Sequence, residues 1–281
     1  MLKLNKKDYQ KISRLLNVPE MNVLFAKSIV NRHVNGDIWV DSLPIPCAAY
    51  IKHPYGMSLL AGKTDDQSFL ESLRNYLLNS GACRSSQEWL QVTSSGWSAQ
   101  IESLLKKSLV KMPRGAAVGS TRIGGSAEKV YQYQRLLFLF CPDLFLHANI
   151  HTNSADLTMK PMSSSDFNEF GSHVVPRYFW NNEDEFSAIS KGYSLVYKNR
   201  TVAVAFGSFT IDDQFEIGVE TDPKFRGKGF ASMVCAELIN YCLENDCIPV
   251  WSCHAGNAGS KKLALRLGFE IEKTLPYYHL T

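Results

Sequence analysis

Arg226-Gly227-Lys228-Gly229-Phe230-Ala231 stands between a strand-like run, Phe215-Glu216-Ile217-Gly218-Val219-Glu220-Thr221, and a periodic helix. The helix places Ala231, Val234, Cys235, Leu238, Ile239 and Cys242 at i, i+3, i+4, i+7, i+8 and i+11, the spacing of one buried face. A strand, a short turn with two glycines and a helix start together make an anion site. Backbone N–H groups converge there, the helix dipole adds partial positive charge, and glycine brings no Cβ against the ligand. Lys224, Arg226 and Lys228 surround the turn with formal charge. A pyrophosphate is the expected occupant.

The common nucleotide loops do not fit. GxxxxGK(S/T) is absent, and GxGxxG would need a glycine where Ser232 stands. Q/R-x-x-G-x-G/A does fit, with Arg226, Gly229 and Ala231 on its fixed positions. Downstream, Val250-Trp251-Ser252-Cys253-His254 reads as a strand. Asn257 follows, then a helix with Ser260, Leu263, Ala264 and Leu267 on one face, ending at Leu267-Gly268-Phe269. These two segments, in this order, resemble the acyl-CoA signature of the GNAT (GCN5-related) N-acetyltransferase superfamily. The Trp251/Cys253 strand and the Ser260 helix are most similar to the subgroup that includes the zwittermicin A resistance acetyltransferase.

The resemblance implies an α/β (α+β) fold, the GNAT acyltransferase fold, with a mixed central sheet flanked by helices. It implies acetyl-CoA as cosubstrate. In the family, the strand before the glycine loop splays from the next strand, and pantetheine inserts between them. Transferred here, the splay lies between 215–221 and 249–253. Ile217, Val219 and Thr221 are then the pantetheine-side positions, and a backbone N–H near Val219 faces the thioester oxygen. Arg226, Gly227, Lys228, Gly229, Phe230 and Ala231 hold the diphosphate. Asn257 and Ser260 line the far side, and Lys261, Lys262 and Arg266 stand within reach of a 3′-phosphate.

Acetyl transfer to an amine needs proximity, a base and stabilisation of the developing oxyanion. Glu216 is the candidate base, with Glu220 as the alternative; strand alternation puts both on one face with Gly218. Relatives often carry a tyrosine after the leucine of the last helix as general acid, whereas Ala264 follows Leu263 here. Tyr278, Tyr277, Cys253 and His254 are the substitutes to consider, and a thiolate of pKa about 8.5 also leaves unaided. Cys253 and His254 are strand neighbours pointing to opposite faces, which disfavours a nucleophile pair. His147 and His151 form a lone i, i+4 pair without a supporting carboxylate motif, so no metal site is expected.

At 281 residues and 45% apolar composition, the chain has the length of two ordinary domains. The expected division is 1–143, an α+β domain, and 144–281, the acetyltransferase domain. A net charge of +3 with dispersed lysines argues against nucleic acid or a membrane as partner. The start Met1-Leu2-Lys3-Leu4-Asn5-Lys6-Lys7 lacks the apolar region of a signal peptide, and the longest apolar stretch, Leu136 to Cys141, is too short to span a bilayer. Seven cysteines without a CxxC pair suit reduced thiols in a cytoplasmic protein. A homodimer is compatible with this composition.

The first half repeats an order of elements. Strand 57–61, Thr64-Asp65-Asp66, helix 67–78, strand 88–93 and helix 97–105 mirror the strand, Thr221-Asp222-Pro223, helix, strand and helix of the second half. A degenerate first copy of the same fold is therefore expected, lacking the glycine loop because Gln67-Ser68-Phe69-Leu70-Glu71 occupies its place. The alternative is an unrelated α+β domain. Arg114 to Ser126, rich in glycine, reads as a connection, because the residues after it alternate like a strand. The acceptor expected from the resemblance is a primary amine on a small molecule, such as an antibiotic or metabolite. A protein N-terminus or lysine is the enzymatic alternative, and a non-catalytic acyl-CoA-binding module is the other.

Overall fold

The computed structural model describes residues 1–118, 129–146, 156–171 and 174–281. The His147/His151 pair and most of the glycine-rich connection after Val118 lie outside them. The chain forms two compact units. Unit 1 comprises Met1–Leu137, Cys253–Ala258 and Lys273–Thr281; unit 2 comprises Phe138–Ser252 and Gly259–Glu272. Set beside the expected division at 143/144, two C-terminal segments group with unit 1. Their hydrogen bonds and packing explain it: the last strand pairs within unit 1's sheet, Ala255 N–H donates to Gln134 O, and Gly256 lies against Ala116.

Unit 1 opens with β1 (Leu2–Lys3), a 3₁₀ segment Lys6–Leu16, α1 (Leu24–Val30), β2 (Asp37–Val40), β3 (Ala48–Lys52) and β4 (Met57–Gly62). Then come α2 (Gln67–Leu77), β5 (Glu88–Val92), α3 (Ser95–Leu105), β6 (Leu109–Lys111) and β7 (Val130–Phe140). β2, β3 and β4 run antiparallel in turn, and β4 pairs parallel with β5. Alternation sends Tyr50, Leu60, Leu90 and Val92 to one face, where Phe69, Leu73 and Leu77 of α2 and Trp97 and Ile101 of α3 close a core. Asp66 and Ser94 cap these two helices, accepting from Phe69 N and Trp97 N.

Unit 2 contains α4 (Pro142–Leu146), β8 (Leu157–Pro161), α5 (Ser164–Glu169), α6 (Glu183–Ile189), β9 (Gly192–Tyr197), β10 (Arg200–Ile211) and β11 (Gln214–Thr221). It continues with α7 (Phe230–Glu244), β12 (Ile248–His254), α8 (Ala258–Arg266) and the start of β13 (Phe269–Leu280). β8 to β11 are antiparallel neighbours, and β12 joins β11 in parallel. α7 packs on β9, β10 and β11. The order antiparallel, antiparallel, parallel thus occurs in both units, β2-β3-β4-β5 and β9-β10-β11-β12, each with a helix in the crossover. This is the expected repeat, read in topology. The sequence reading missed β13: its stretch Glu270-Ile271-Glu272-Lys273-Thr274-Leu275-Pro276 lacks clean alternation and carries a proline.

Candidate functional site

The site in unit 2 begins where two parallel strands part. β11 pairs with β10 along its whole length, from Gln214↔Ile211 to Thr221↔Ala203. Against β12 it pairs only at Gln214↔Ile248, Phe215↔Pro249 and Glu216↔Val250. The cause lies on the opposite edge. β10 bulges between Gly207 and Phe209, whose partners are Ile217 and Glu216. A bulge bends and twists its neighbours, and this one sits opposite the point where β11 leaves β12.

Main-chain direction follows from alternation. Asp222 N–H donates to Val202 O at 2.9 Å, and Glu216 O accepts from Ser208 Oγ at 3.1 Å. Even-numbered residues therefore turn their main-chain groups to β10, and Ile217, Val219 and Thr221 turn theirs to the opened edge. Phe215 stands 6.2 Å from the Tyr241 ring of α7, so the odd side chains face that helix. Glu216, Gly218 and Glu220 face the segment 174–190, where Val174 N–H donates to Glu220 Oε2 at 3.3 Å. Gly218 has to be glycine: a Cβ there would come within 2.7 Å of the Phe206 ring.

The loop beyond β11 is built to leave amides exposed. Asp222 caps the single 3₁₀ turn Pro223–Phe225 by accepting from Lys224 N–H at 2.9 Å. Gly227 and Gly229 then take φ of +78° and +84°, with open space where a Cβ would stand. Glycine is required here for its left-handed backbone rather than for crowding. Gly229 is also the N-cap of α7 and offers no side chain to the first-turn amides. By contrast α2, α3, α5 and α6 are each capped by a side chain. Phe230 anchors the helix start, buried and stacked on Phe225.

The charges around this loop have defined partners. Arg226 Nη2 donates to Glu220 Oε1 at 2.9 Å and its Nε to Thr221 O at 3.2 Å, so the arginine fastens the loop to the strand end. Arg200 pairs with Asp222. Lys228 Nζ lies 5.2 Å from the Phe225 ring centroid, which leaves an exposed ammonium beside the glycines.

Of the candidate carboxylates, Glu216 is 6% exposed and accepts from Ser252 Oγ at 2.9 Å across the parting strands. Glu220 is held by Arg226, Thr221 N–H and Val174 N–H. Unit 2 also brings Ser260 to β12: its Oγ accepts the Trp251 indole N–H at 3.1 Å. Asn257 is exposed in the segment that groups with unit 1, its N–H donating to His254 O. Ala264 is fully buried in α8. Tyr278 is a core residue of unit 1, 1% exposed beside Trp97 and Leu90, with its hydroxyl on Ser98. Burial, opposed by that hydrogen bond, raises its pKa.

Ser252 was not among the candidates. Its signal was present, since it lies two residues past Val250 and therefore on the face of Glu216, but a serine in a strand has no distinguishing period. The loop, the opened edge and the buried carboxylate can together hold a diphosphate, line an extended chain with main-chain groups parted from β12, and take up a proton.

The chain is similar to known proteins over nearly its whole length. The family model described as GNAT acetyltransferase matches residues 14–278. An uncharacterised N-acetyltransferase of Bacillus subtilis (strain 168), YdfB, is 24% identical over 279 residues, 98% of this chain and 97% of its own. The crystal structure of a GCN5-related N-acetyltransferase-like protein from Streptococcus suis 89/1591 superimposes with a TM-score of 0.69 at 20% identity, covering 98% of this chain and 99% of its own. A tandem GNAT protein from the clavulanic acid biosynthesis pathway gives 0.58 at 11% identity, over 99% of this chain and 97% of its own.

Proposed function

Because the chain belongs to the GNAT acetyltransferase family, we propose that it transfers an acetyl group from acetyl-CoA to a primary amine on a small molecule, with unit 2 as the working unit. The observation that carries this is the opened β11 edge leading into the uncapped start of α7. The amides after Gly227, with Lys228 and the helix dipole, would hold the diphosphate. Ile217 and Val219 would offer main-chain groups to the pantetheine amides, with the Thr221 N–H and C=O already held by Glu220 and Arg226, and a donor near Val219 suits a thioester oxygen.

Acetyl-CoA supplies the activated acyl group; the protein supplies position and proton handling. Glu216, buried and fixed by Ser252, is the base that takes the acceptor's proton, directly or through a water. Glu220 is the fastening for Arg226, which leaves the base role to Glu216. With Ala264 in α8 and Tyr278 in unit 1's core, the thiolate leaves without a tyrosine acid. Glu216, on the face toward 174–190, suits a cationic acceptor. The antibiotic or metabolite class of acceptor rests on the sequence resemblance to the zwittermicin subgroup. The division into a first domain at 1–143 and an acetyltransferase domain at 144–281 is retained as the boundary of the repeat, with β13 lending its end to the first sheet.

The test is to follow free thiol release from acetyl-CoA over a panel of primary amines, peptides included. Release with small amines supports the reading. Tight acetyl-CoA binding without release for any amine would leave a binding module, and release with peptides alone would make it a protein modifier.

A further inference from the structure

The closed end of the β11/β12 opening is plugged on both faces by side chains outside the glycine loop. On one face, Ser252 Oγ donates to Glu216 Oε1 at 2.9 Å, a strap lying just past the last backbone pair, Glu216↔Val250. Glu216 is 6% exposed there, and its main-chain carbonyl is held by Ser208. On the other face stand Ile217, 8% exposed, and Trp251, 2% exposed. The indole cannot swing aside easily, because its N–H is held by Ser260 Oγ and its ring lies 5.5 Å from Phe269. The run Ile217–Thr221, beyond the last backbone pair with β12, spans roughly 16 Å at about 3.3 Å per residue. A chain entering from the glycine loop therefore runs that length along an edge parted from β12 and then meets the strap.

We propose that the Ser252–Glu216 strap, backed by Trp251, is the stop that limits the acyl donor to short chains, so that Ser252 is a specificity-determining residue. This rests on the acetyl-CoA reading above. An acyl group carried to the end of the opening has room only for a small methyl-bearing group. A longer one must displace a hydrogen-bonded carboxylate or a packed indole. In an open apolar channel each added methylene tightens binding about fourfold. Against a stop the trend reverses, because overpacking a filled site costs affinity.

Calorimetric titration of the full chain with acetyl-, propionyl-, butyryl- and hexanoyl-CoA tests this without an acceptor. Hexanoyl-CoA is expected to bind at least about tenfold more weakly than acetyl-CoA, the scale of a modest steric clash. Ser252→Ala, which removes the hydroxyl from the stop, should narrow that ratio to about threefold or less, because the smaller side chain leaves room in which the added chain regains buried contacts. Glu216→Gln should keep the ratio, since its amide oxygen still accepts the Ser252 hydroxyl. Affinity that is flat or rising with chain length in the unaltered protein overturns the inference, as does a Ser252→Ala ratio unchanged from it. No binding of acetyl-CoA at all would instead overturn the underlying function and is read separately. Thermal melting confirms that each variant is folded, and the unaltered protein's chain-length series decides the matter if one is not.

Discussion

Asp66 accepts the backbone N–H of Phe69 at 2.6 Å, closing the start of α2 with a carboxylate. In the repeated topology this helix corresponds to α7, whose N-cap is Gly229. A carboxylate at that place satisfies the amides and neutralises the dipole, so the start of α2 already holds its anion. β4 also stays paired with β5 from Met57↔Trp89 to Leu60↔Val92, and Thr93 N–H adds a bond to Leu60 O. Unit 1 thus keeps the frame of the fold with its helix start filled.

One acetyl-CoA per chain is therefore expected in calorimetry. Gly229→Asp, which brings a carboxylate to the start of α7 and strains the left-handed backbone there, should weaken acetyl-CoA at least about tenfold, through the distorted loop and through competition for the amides that receive the diphosphate. Asp66→Gly should leave that affinity within about twofold, at some cost in stability from the lost cap. A stoichiometry of two would show that unit 1 also binds.

Glu216 and Glu220 are separable by kinetics. Glu216→Gln should retain acetyl-CoA affinity and lower the turnover rate about 100-fold, the usual contribution of a positioned base. Glu220→Gln should act the other way. It frees Arg226, weakens acetyl-CoA a few-fold in keeping with a half-exposed ion pair, and leaves the chemical step nearly intact. A reversed pattern would move the base to Glu220.

Asp166 gives unit 2 an acid-sensitive joint. Burial alone would raise its carboxyl, but hydrogen bonds from Thr201 and from the backbone and hydroxyl of Ser163 outweigh it and hold the pKa at about 2. A depressed folded value means the stability is complete above the unfolded value, about 4, and is lost as pH falls towards about 2. Asp166→Asn should cost about 1 to 2 kcal/mol at neutral pH, chiefly through the lost capping box and the Thr201 bond. It should also flatten the melting curve's dependence on pH between those values.

His279 does the same for unit 1 in a higher window. Burial, then His254 and Arg84, lowers its pKa to about 4. It is 1% exposed, stacked 4.3 Å from Trp89, with its Nε2 at 3.2 Å from Gln87 Oε1. A buried neutral imidazole favours the folded state above the unfolded value near 6.5, and that preference drains away as pH falls to about 4. His279→Phe, which keeps the stack and cannot titrate, should reduce the pH slope of stability in that window by about one proton's worth. An unchanged slope would assign the acid sensitivity elsewhere.

Much of unit 2 was legible from local signals. The strand expected over 215–221 forms as Gln214–Thr221, and the helix with Ala231 to Cys242 on one face forms as Phe230–Glu244, because alternation and helical spacing mark them. The glycine loop was legible because left-handed φ at two positions leaves little choice but glycine. Ser252 and Trp251 were not, since their roles depend on a partner 36 residues away in one case and on a helix nine residues on in the other. Tyr278 was considered as an acid from its chemistry alone; the pairing of β13 with β5 puts it in a hydrophobic core instead.

From the sequence alone came the class of fold, the order of its elements and the anion-binding turn, because backbone preference and periodicity act over a few residues. Tertiary structure decided where β11 leaves β12, which carboxylate is strapped and which is spent on Arg226, and whose sheet the final strand completes. Those outcomes depend on which distant edges meet and on a single bulge at Gly207 to Phe209, and register across a sheet is set by packing that no short window of residues encodes.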